Sequence, residues 1–373
     1  MPVSGVMYLM RCEPLGLACA DLSEAIVNME QHEITERGLL LDPDGTLREP
    51  GWAKSLILDY NRHSIRESKY RIKEWDYYMV NDDEYAVAFT LFDAGYSGMV
   101  SISVIDLLGK DETTTTVLVP LPSGKIKLPT TSKSGISFFE NKRVKVIFEA
   151  EEDRRILDVM MHKFRGLETF VAHIELDNIP QDSMVIATPW REQPTAFYYN
   201  QKIVAMRARG DFCVGTKVHH FDGLNSFGLL DWGRGVWTYD NRWFWGVAQG
   251  RQNGHVVGFN LGYGFGDTSA ASENMFFLDG VCHKLDRVDF GIPMNPDGSF
   301  DLMDDWHMRS NDGRFTMEFH PSIDRSAYMN FGVIMSDQHQ ILGKFDGTVV
   351  LDDGTPFEIK DLFASAEVVH NKY

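Results

Sequence analysis

Cysteine is scarce in this chain of 373 residues. Its four thiols, Cys12, Cys19, Cys213 and Cys282, form no Cys-x-x-Cys pair, so neither a disulfide scaffold nor a zinc ribbon is expected. Reduced thiols in a cytoplasmic protein are the reading. Long apolar runs are absent too: none approaches the roughly 20 residues of a membrane span, so no stable membrane insertion is expected. Positive charge is outweighed, with 36 Lys and Arg against 54 Asp and Glu, a net charge of -18. That balance speaks against a nucleic-acid surface and against anionic membranes, and reads as a solubility charge. No nucleophile elbow occurs, and no glycine-rich loop ends in Gly-Lys-Ser/Thr, so neither a nucleotide nor another cofactor is expected. Metal signatures are missing as well. His219 and His220 are adjacent, point to opposite faces of a strand and cannot share an ion.

Period-two alternation is what the chain has instead. Val144, Val146 and Phe148 alternate with Lys145, Ile147 and Glu149, and residues 85–91 and 99–107 are rich in β-branched and aromatic side chains. Asp-Gly or Asn-Gly pairs begin at 44, 222, 253, 279, 297, 312, 346 and 353, where they punctuate strand-like runs at hairpin spacing. Helical patterns are few, a short one over Ser64–Lys69 and one over Lys360–Glu367. The fold predicted is all-β: two antiparallel barrels or sandwiches packed together, with few short helices. Prolines and polar residues between Asp177 and Pro194 predict a division into an N-terminal barrel-like domain over 29–188 and a C-terminal one over 189–373, which carries the main pocket. Residues 1–28 read as an extension or a mis-set start, because Met29 opens a convincing beginning of its own. Oligomeric state is not legible.

The densest chemistry lies between Phe227 and Phe277. Four of the eight Trp, at 232, 237, 243 and 245, fall there among glycines and isolated polar residues. Glycines let backbones approach and aromatics form rigid walls, so the segment reads as a pocket lining. Asp231, Asp267, Glu273, Asp324 and Glu367 are the acid–base candidates. Two readings stand for Asp231: a carboxyl among apolar neighbours with a raised pKa, or a structural partner of Arg234. Asp324-Arg325 reads as a structural ion pair, and Glu273-Asn274 as either a polar pocket end or the start of a hydrogen-bonded strand. The catalytic set is Asp231, Glu273 and His339. The binding set is Arg234, Trp237, Tyr239, Trp243, Trp245, Asn260, Tyr263, Asp267, Asn274 and Gln338, with Tyr198 and Tyr199 as further positioning candidates. Around His339, Gln338 and Gln340 share one strand face and the His takes the other. In Lys73-Glu74-Trp75-Asp76-Tyr77-Tyr78, Trp75 and Tyr77 share a face, read as solvated or as the second wall of a site between barrels.

The run Phe227-Gly228-Leu229-Leu230-Asp231-Trp232-Gly233-Arg234-Gly235-Val236-Trp237, with Trp243-Phe244-Trp245-Gly246 and Gly258-Phe259-Asn260-Leu261-Gly262, resembles a bacterial family known only as a domain of unknown function (2804). Lys73–Tyr77, Asp337–Gln340 and Gly343–Gly347 share the resemblance, which covers about 31 to 373. More distantly, an Asp followed by Trp-Gly and a Trp-rich strand is similar to the lipocalin-like two-barrel proteins, among them carotenoid 1,2-hydratases, tocopherol cyclases and Diels-Alder cyclases. That likeness carries over only at Asp231 and the Trp strand. It implies a cofactor-independent acid–base enzyme of hydratase, cyclase or isomerase type on a hydrophobic small molecule. A non-catalytic lipid or metabolite binder and a carbohydrate-active enzyme with paired carboxylates are the alternatives.

Overall fold

Alternation shapes the whole of residues 31–373, the part of the chain that the computed structural model describes. Residues 1–28, read above as an extension, lie outside it together with Cys12 and Cys19. One 3₁₀ turn, Arg62–Ser64, is the sole helical element among the described residues, and everything else regular is strand. The strands β1 (Gly38–Leu39), β2 (Gly51–Ala53) and β3 (Leu58–Asp59) are short, and β1 pairs with β3 in parallel. Then come β4 (Lys73–Asn81), β5 (Tyr85–Asp93), β6 (Ser97–Asp106), β7 (Asp111–Pro120), β8 (Gly135–Glu140), β9 (Val144–Ala150) and β10 (Arg155–Arg165). They are followed by β11 (Glu168–Asp177), β12 (Met184–Pro189), β13 (Phe197–Val214) and β14 (Lys217–Val236). The first sheet runs β7-β6-β5-β4-β14-β13-β11-β10-β9-β8, while β12 pairs with the first half of β13 and carries β2.

The second sheet takes the rest of the chain: β15 (Asp240–Gln252), β16 (His255–Tyr263), β17 (Met275–Leu278), β18 (Val281–Lys284) and β19 (Val288–Asp289). It continues with β20 (Trp306–Ser310), β21 (Phe315–Asn330), β22 (Met335–Val350) and β23 (Pro356–Lys372), in the order β18-β17-β16-β15-β23-β22-β21-β20-β19. The turn residues behave as their chemistry demands. Asn253 and Gly254 both have positive φ (53° and 85°), as do Asp279 and Gly280 (49° and 82°), the conformation a two-residue hairpin needs.

Three apolar layers hold these sheets. The first sheet curls around Tyr78, Phe89, Phe170 and Trp232, and the second around Phe259, Trp306, Phe319 and Phe345. A third layer joins them: Met79, Leu229 and Tyr198 from the first sheet meet Val247, Met275 and Phe277 from the second. Each fully buried Phe in these cores contributes roughly 1.5–3 kcal/mol. The all-β expectation holds, with two antiparallel sheets packed together.

Two expectations are corrected. Lys360–Glu367 is strand, part of β23, because β15 and β22 pair with it on both sides. The Ser64–Lys69 pattern gives only the 3₁₀ turn that ends at Ser64. Residue 188 is followed by two long strands of the first sheet. Strands β13 and β14 pair with each other and with β11 and β4 of the first sheet, and the chain crosses over at residues 237–239.

Close approach of side chain to backbone explains one glycine of the crowded segment. A Cβ on Gly233 would lie 1.9 Å from the Trp75 indole on the paired strand. Gly233→Ala is expected to cost about 1–3 kcal/mol through overpacking. Urea unfolding of the variant, and of Gly233→Ala combined with Trp75→Val, checks this: the second substitution recovers part of the loss if the indole is the obstacle.

Candidate functional site

Strand alternation sorts the polar residues of β14 onto two faces. Trp232 and Arg234 point into the first sheet's own core, and Asp231 points the other way, toward the second sheet. Arg234 is fully buried. It donates to the carbonyls of Trp75 (2.6 Å), Gly233 (2.8 Å) and Pro129 (2.8 Å) and to Asp76 Oδ1 (3.0 Å), and it stacks 4.1 Å over Trp232. The structural partner of Arg234 is therefore Asp76, not Asp231. On β4 the same rule puts Glu74, Asp76 and Tyr78 inside and Trp75 and Tyr77 outside, where they face the second sheet.

Between the sheets this leaves a cavity of about 180 Å³. The first sheet supplies Trp75, Tyr77, Phe92, Tyr198, Lys202 and Asp231, and the second supplies Trp243, Trp245, Gln338 and Glu367. The crossing segment adds Trp237, the β16–β17 loop adds Phe265 and Glu273, and the chain end adds Tyr373. Phe265 organises the aromatic wall. It sits between Gly264 (φ 87°) and Gly266 (φ 78°), a turn closed to most side chains. Its ring meets Tyr198, Trp237, Trp243 and Trp190 edge-on at 4.9 to 5.3 Å.

Three carboxyls reach this space. Asp231 is paired with Lys202 at 2.6 Å, directly across the β13–β14 ladder, and accepts from Asn200 Nδ2 at 2.7 Å. The Lys202 ammonium also lies 4.2 Å from the centre of the Trp245 ring. Trp245 Nε1 donates to Asn260 Oδ1 (2.7 Å), and Asn260 Nδ2 donates to the Glu273 carboxyl (3.0 Å). Gly262 makes room for that carboxyl, since a Cβ there would sit 2.4 Å from it. Glu367 accepts from Gln340 Nε2 (2.7 Å) and Trp243 Nε1 (3.3 Å). Burial pushes the Glu273 and Glu367 carboxyls above the usual carboxylate range; Lys202 and Asn260 oppose this at Glu273, and Trp243 and Arg325 oppose it at Glu367. Burial also drives the Tyr77 phenol up to about 12 and the Tyr198 phenol well above its ordinary value.

Seven of the expected residues meet here: Asp231, Glu273, Trp237, Trp243, Trp245, Gln338 and the positioning candidate Tyr198. Asn260 stands one step behind, holding Trp245 and Glu273 together. The structure places the other chosen candidates outside this lining. Arg234 is on the opposite face of β14. His339 bonds Asp324 (2.9 Å), because Gln338 and Gln340 take the inward face of β22, and so Asp324 pairs with His339 rather than with Arg325, which donates to Ser103. Tyr239 is half exposed and donates to the Val333 carbonyl (2.6 Å). Tyr263 stacks on Phe244 (4.6 Å), next to the second core. Asp267 is bound by Arg191, whose hydrogen bond holds its carboxyl down at about 2. Asn274 is spent on backbone, accepting from Gly262 N (2.8 Å) and donating to Asp286 O (2.7 Å).

Lys202 and Gln340 were not chosen from the sequence, and Glu367 was weighed but not chosen. The signal for Lys202 was the polar triplet Asn200-Gln201-Lys202 inside the apolar run 197–206, a pattern that a buried strand does not need.

The fold has solved relatives at low identity. CghA, crystallised with Sch210972, is 10% identical, with a TM-score of 0.52 over 89% of this chain and 97% of that one. A Nitrosomonas europaea protein assigned as AttH is 10% identical, with a TM-score of 0.49 over 84% and 96%. Kievitone hydratase from Nectria haematococca is 10% identical, with a TM-score of 0.47 over 90% and 97%. The likeness to CghA shows the fold, of the lipocalin-like type that the Asp-Trp-Gly run implied. No curated protein matches the chain in sequence. A family model does, over residues 31–373, and the chain belongs to the family described as Domain of unknown function (DUF2804).

Proposed function

We propose that the inter-sheet cavity carries out cofactor-independent acid–base chemistry on a small, largely apolar molecule, of hydratase, cyclase or isomerase type. One observation carries this reading: a single aromatic cavity holds carboxyls in two different environments. Asp231 is ion-paired to Lys202, whereas Glu273 and Glu367 are kept toward the neutral acid by burial. Carboxyls set in such different surroundings are the usual division between an acid and a base. Glu367, facing the cavity from β23, is the proton donor. Positive charge that develops on the substrate meets the π faces of Trp75, Trp243 and Trp245. The Asp231 carboxylate removes a proton or orients a water at the far end. A carrier has no use for such carboxyls, since each costs free energy to bury unionised or unpaired.

A direct test incubates the protein with a small-molecule extract and follows species that gain or lose water, or isomerise, by mass spectrometry with chromatography. Wild type converts one species or a small set, and Glu367→Gln is expected to slow conversion by about 10²–10⁴-fold. An unaltered co-purifying ligand, with no conversion by either form, would replace this reading with a carrier. Trp243→Ala is expected to lose retention of the same molecule, because it removes both a wall and the donor to Glu367.

Protonation also predicts a pH dependence of stability. A carboxyl whose folded pKa is raised above its unfolded value favours the fold at low pH, and that contribution is lost as pH rises through the folded pKa. The melting temperature is therefore expected to fall as pH climbs above the ordinary carboxylate range. Glu367→Gln flattens that fall. A melting curve equally steep in the variant would show that Glu367 is not a source of the dependence.

A further inference from the structure

The row of β4 that faces the second sheet does not end at Trp75. Lys73 is its next member, two residues earlier on the same face, and it is 2% exposed. Among the described residues its ammonium has neither a carboxylate within salt-bridge distance nor a hydrogen-bond acceptor. Three rings surround it instead: Nζ lies 5.0 Å from the centre of Tyr373, 5.1 Å from Trp237 and 5.7 Å from Tyr96. Trp237 and Tyr373 are also walls of the inter-sheet cavity, so the amine lies directly behind two of that cavity's rings. The charged neighbour that acts on it is Arg71, which carries the same sign and is itself engaged with Glu67 (2.9 Å), Gln193 (2.8 Å) and the Trp237 carbonyl (3.2 Å).

A buried lysine with its own counter-ion is held in an ion pair, as Lys202 is by Asp231. Lys73 differs: burial without a carboxylate disfavours its charged form, and so does Arg71, a cation beside it, against the attraction of the three ring faces. Those are the two conditions that turn lysine into a nucleophile. The phenols beside it add no anion, because burial raises both Tyr96 and Tyr373.

We propose that Lys73 is a covalent site behind these two rings of the cavity, whose amine condenses with the carbonyl carbon of an aldehyde or ketone ligand to form an imine. The nitrogen lone pair attacks the carbonyl carbon to give a carbinolamine. One amine proton has by then passed to the carbonyl oxygen to make the hydroxyl; the hydroxyl leaves as water with the second amine proton, the C–O bond breaks and the C=N bond forms. No oxidant or reductant enters. The site is independent of the acid–base reading, since it requires no proton from Glu367.

Burial and Arg71 bring the Lys73 amine down to about 7. At pH 7 its neutral fraction is then on the order of a thousand times that of an exposed lysine titrating near 10.4. The test treats the whole folded protein at pH 7 with hexanal and sodium cyanoborohydride, which traps an imine as a stable hexyl-amine, and maps the modified peptides by mass spectrometry. The expected result is one hexyl group on Lys73, at least a hundred-fold ahead of any other lysine. Labelling should level off above about pH 7 while exposed lysines continue to rise. Lys73→Arg abolishes the early label, and Glu367→Gln retains it. Wild-type protein in which Lys73 stays unmodified, or reacts no faster than exposed lysines, would overturn the proposal without recourse to any variant.

Discussion

The buried guanidinium of Arg234 is the constraint on which the cavity depends. It bridges β14 to β4 by binding the Trp75 carbonyl and Asp76 at once, and it reaches the Pro129 carbonyl on the segment before β8. A fully desolvated cation is tolerable only when its donors are met, and four bonds with stacking on Trp232 meet most of them. The bond to the Trp75 carbonyl locks the register in which Asp231 stands opposite Tyr77 and Gly233 opposite Trp75. A slip of one residue would turn Asp231 into the first sheet's core and Trp232 into the cavity. The polar cluster inside the first sheet therefore sets the chemistry outside it.

The cavity itself is electrostatically unbalanced in a way that core packing does not explain. Glu273, Glu367 and Asp231 share one small space with Lys202 as the paired cation. Burial raises Glu273 and Glu367 above the ordinary carboxylate range, and the charge of Asp231 adds to the rise at both. Trp243 and Gln340 hold Glu367 by its oxygens, and Asn260 holds Glu273, which fixes both groups without neutralising them. Such arrangements cost stability, and folds keep them where they serve a ligand.

The sheets were legible in the sequence because their cause is local. Period-two alternation and Asn-Gly or Asp-Gly turns set the strands, and the same alternation correctly put Trp75 with Tyr77 and separated His339 from its two Gln neighbours. The crowding of glycine and tryptophan in one segment was legible too, and that segment supplies part of the cavity lining. Partners were not legible. Arg234 stands three residues from Asp231, which invites a pair, yet an odd offset in a strand puts the two on opposite faces. Lys202 and Glu367 come from strands 29 residues before and 136 residues after Asp231, and only the pairing of β13 with β14 and of β23 with β15 brings them in. The reading of Lys360–Glu367 as helix failed on the same ground, since pairing on both sides overrides a local pattern.

Crossing from one sheet to the other at Trp237 explains why the aromatic segment looked so dense. A chain that leaves the last strand of one sheet and opens the first of another must turn through the layer between them, and its residues there belong to both. Trp237 packs on Trp75 of the first sheet (5.6 Å) and on Phe265 of the second (5.2 Å), and it also walls in Lys73. The glycines around it serve that role by subtraction: Gly233 admits Trp75, and Gly262 admits Glu273. The pattern that first reads as a motif is thus a seam, where two sheets share one lining and where a carboxyl, an amine and an indole from distant strands can meet a single ligand.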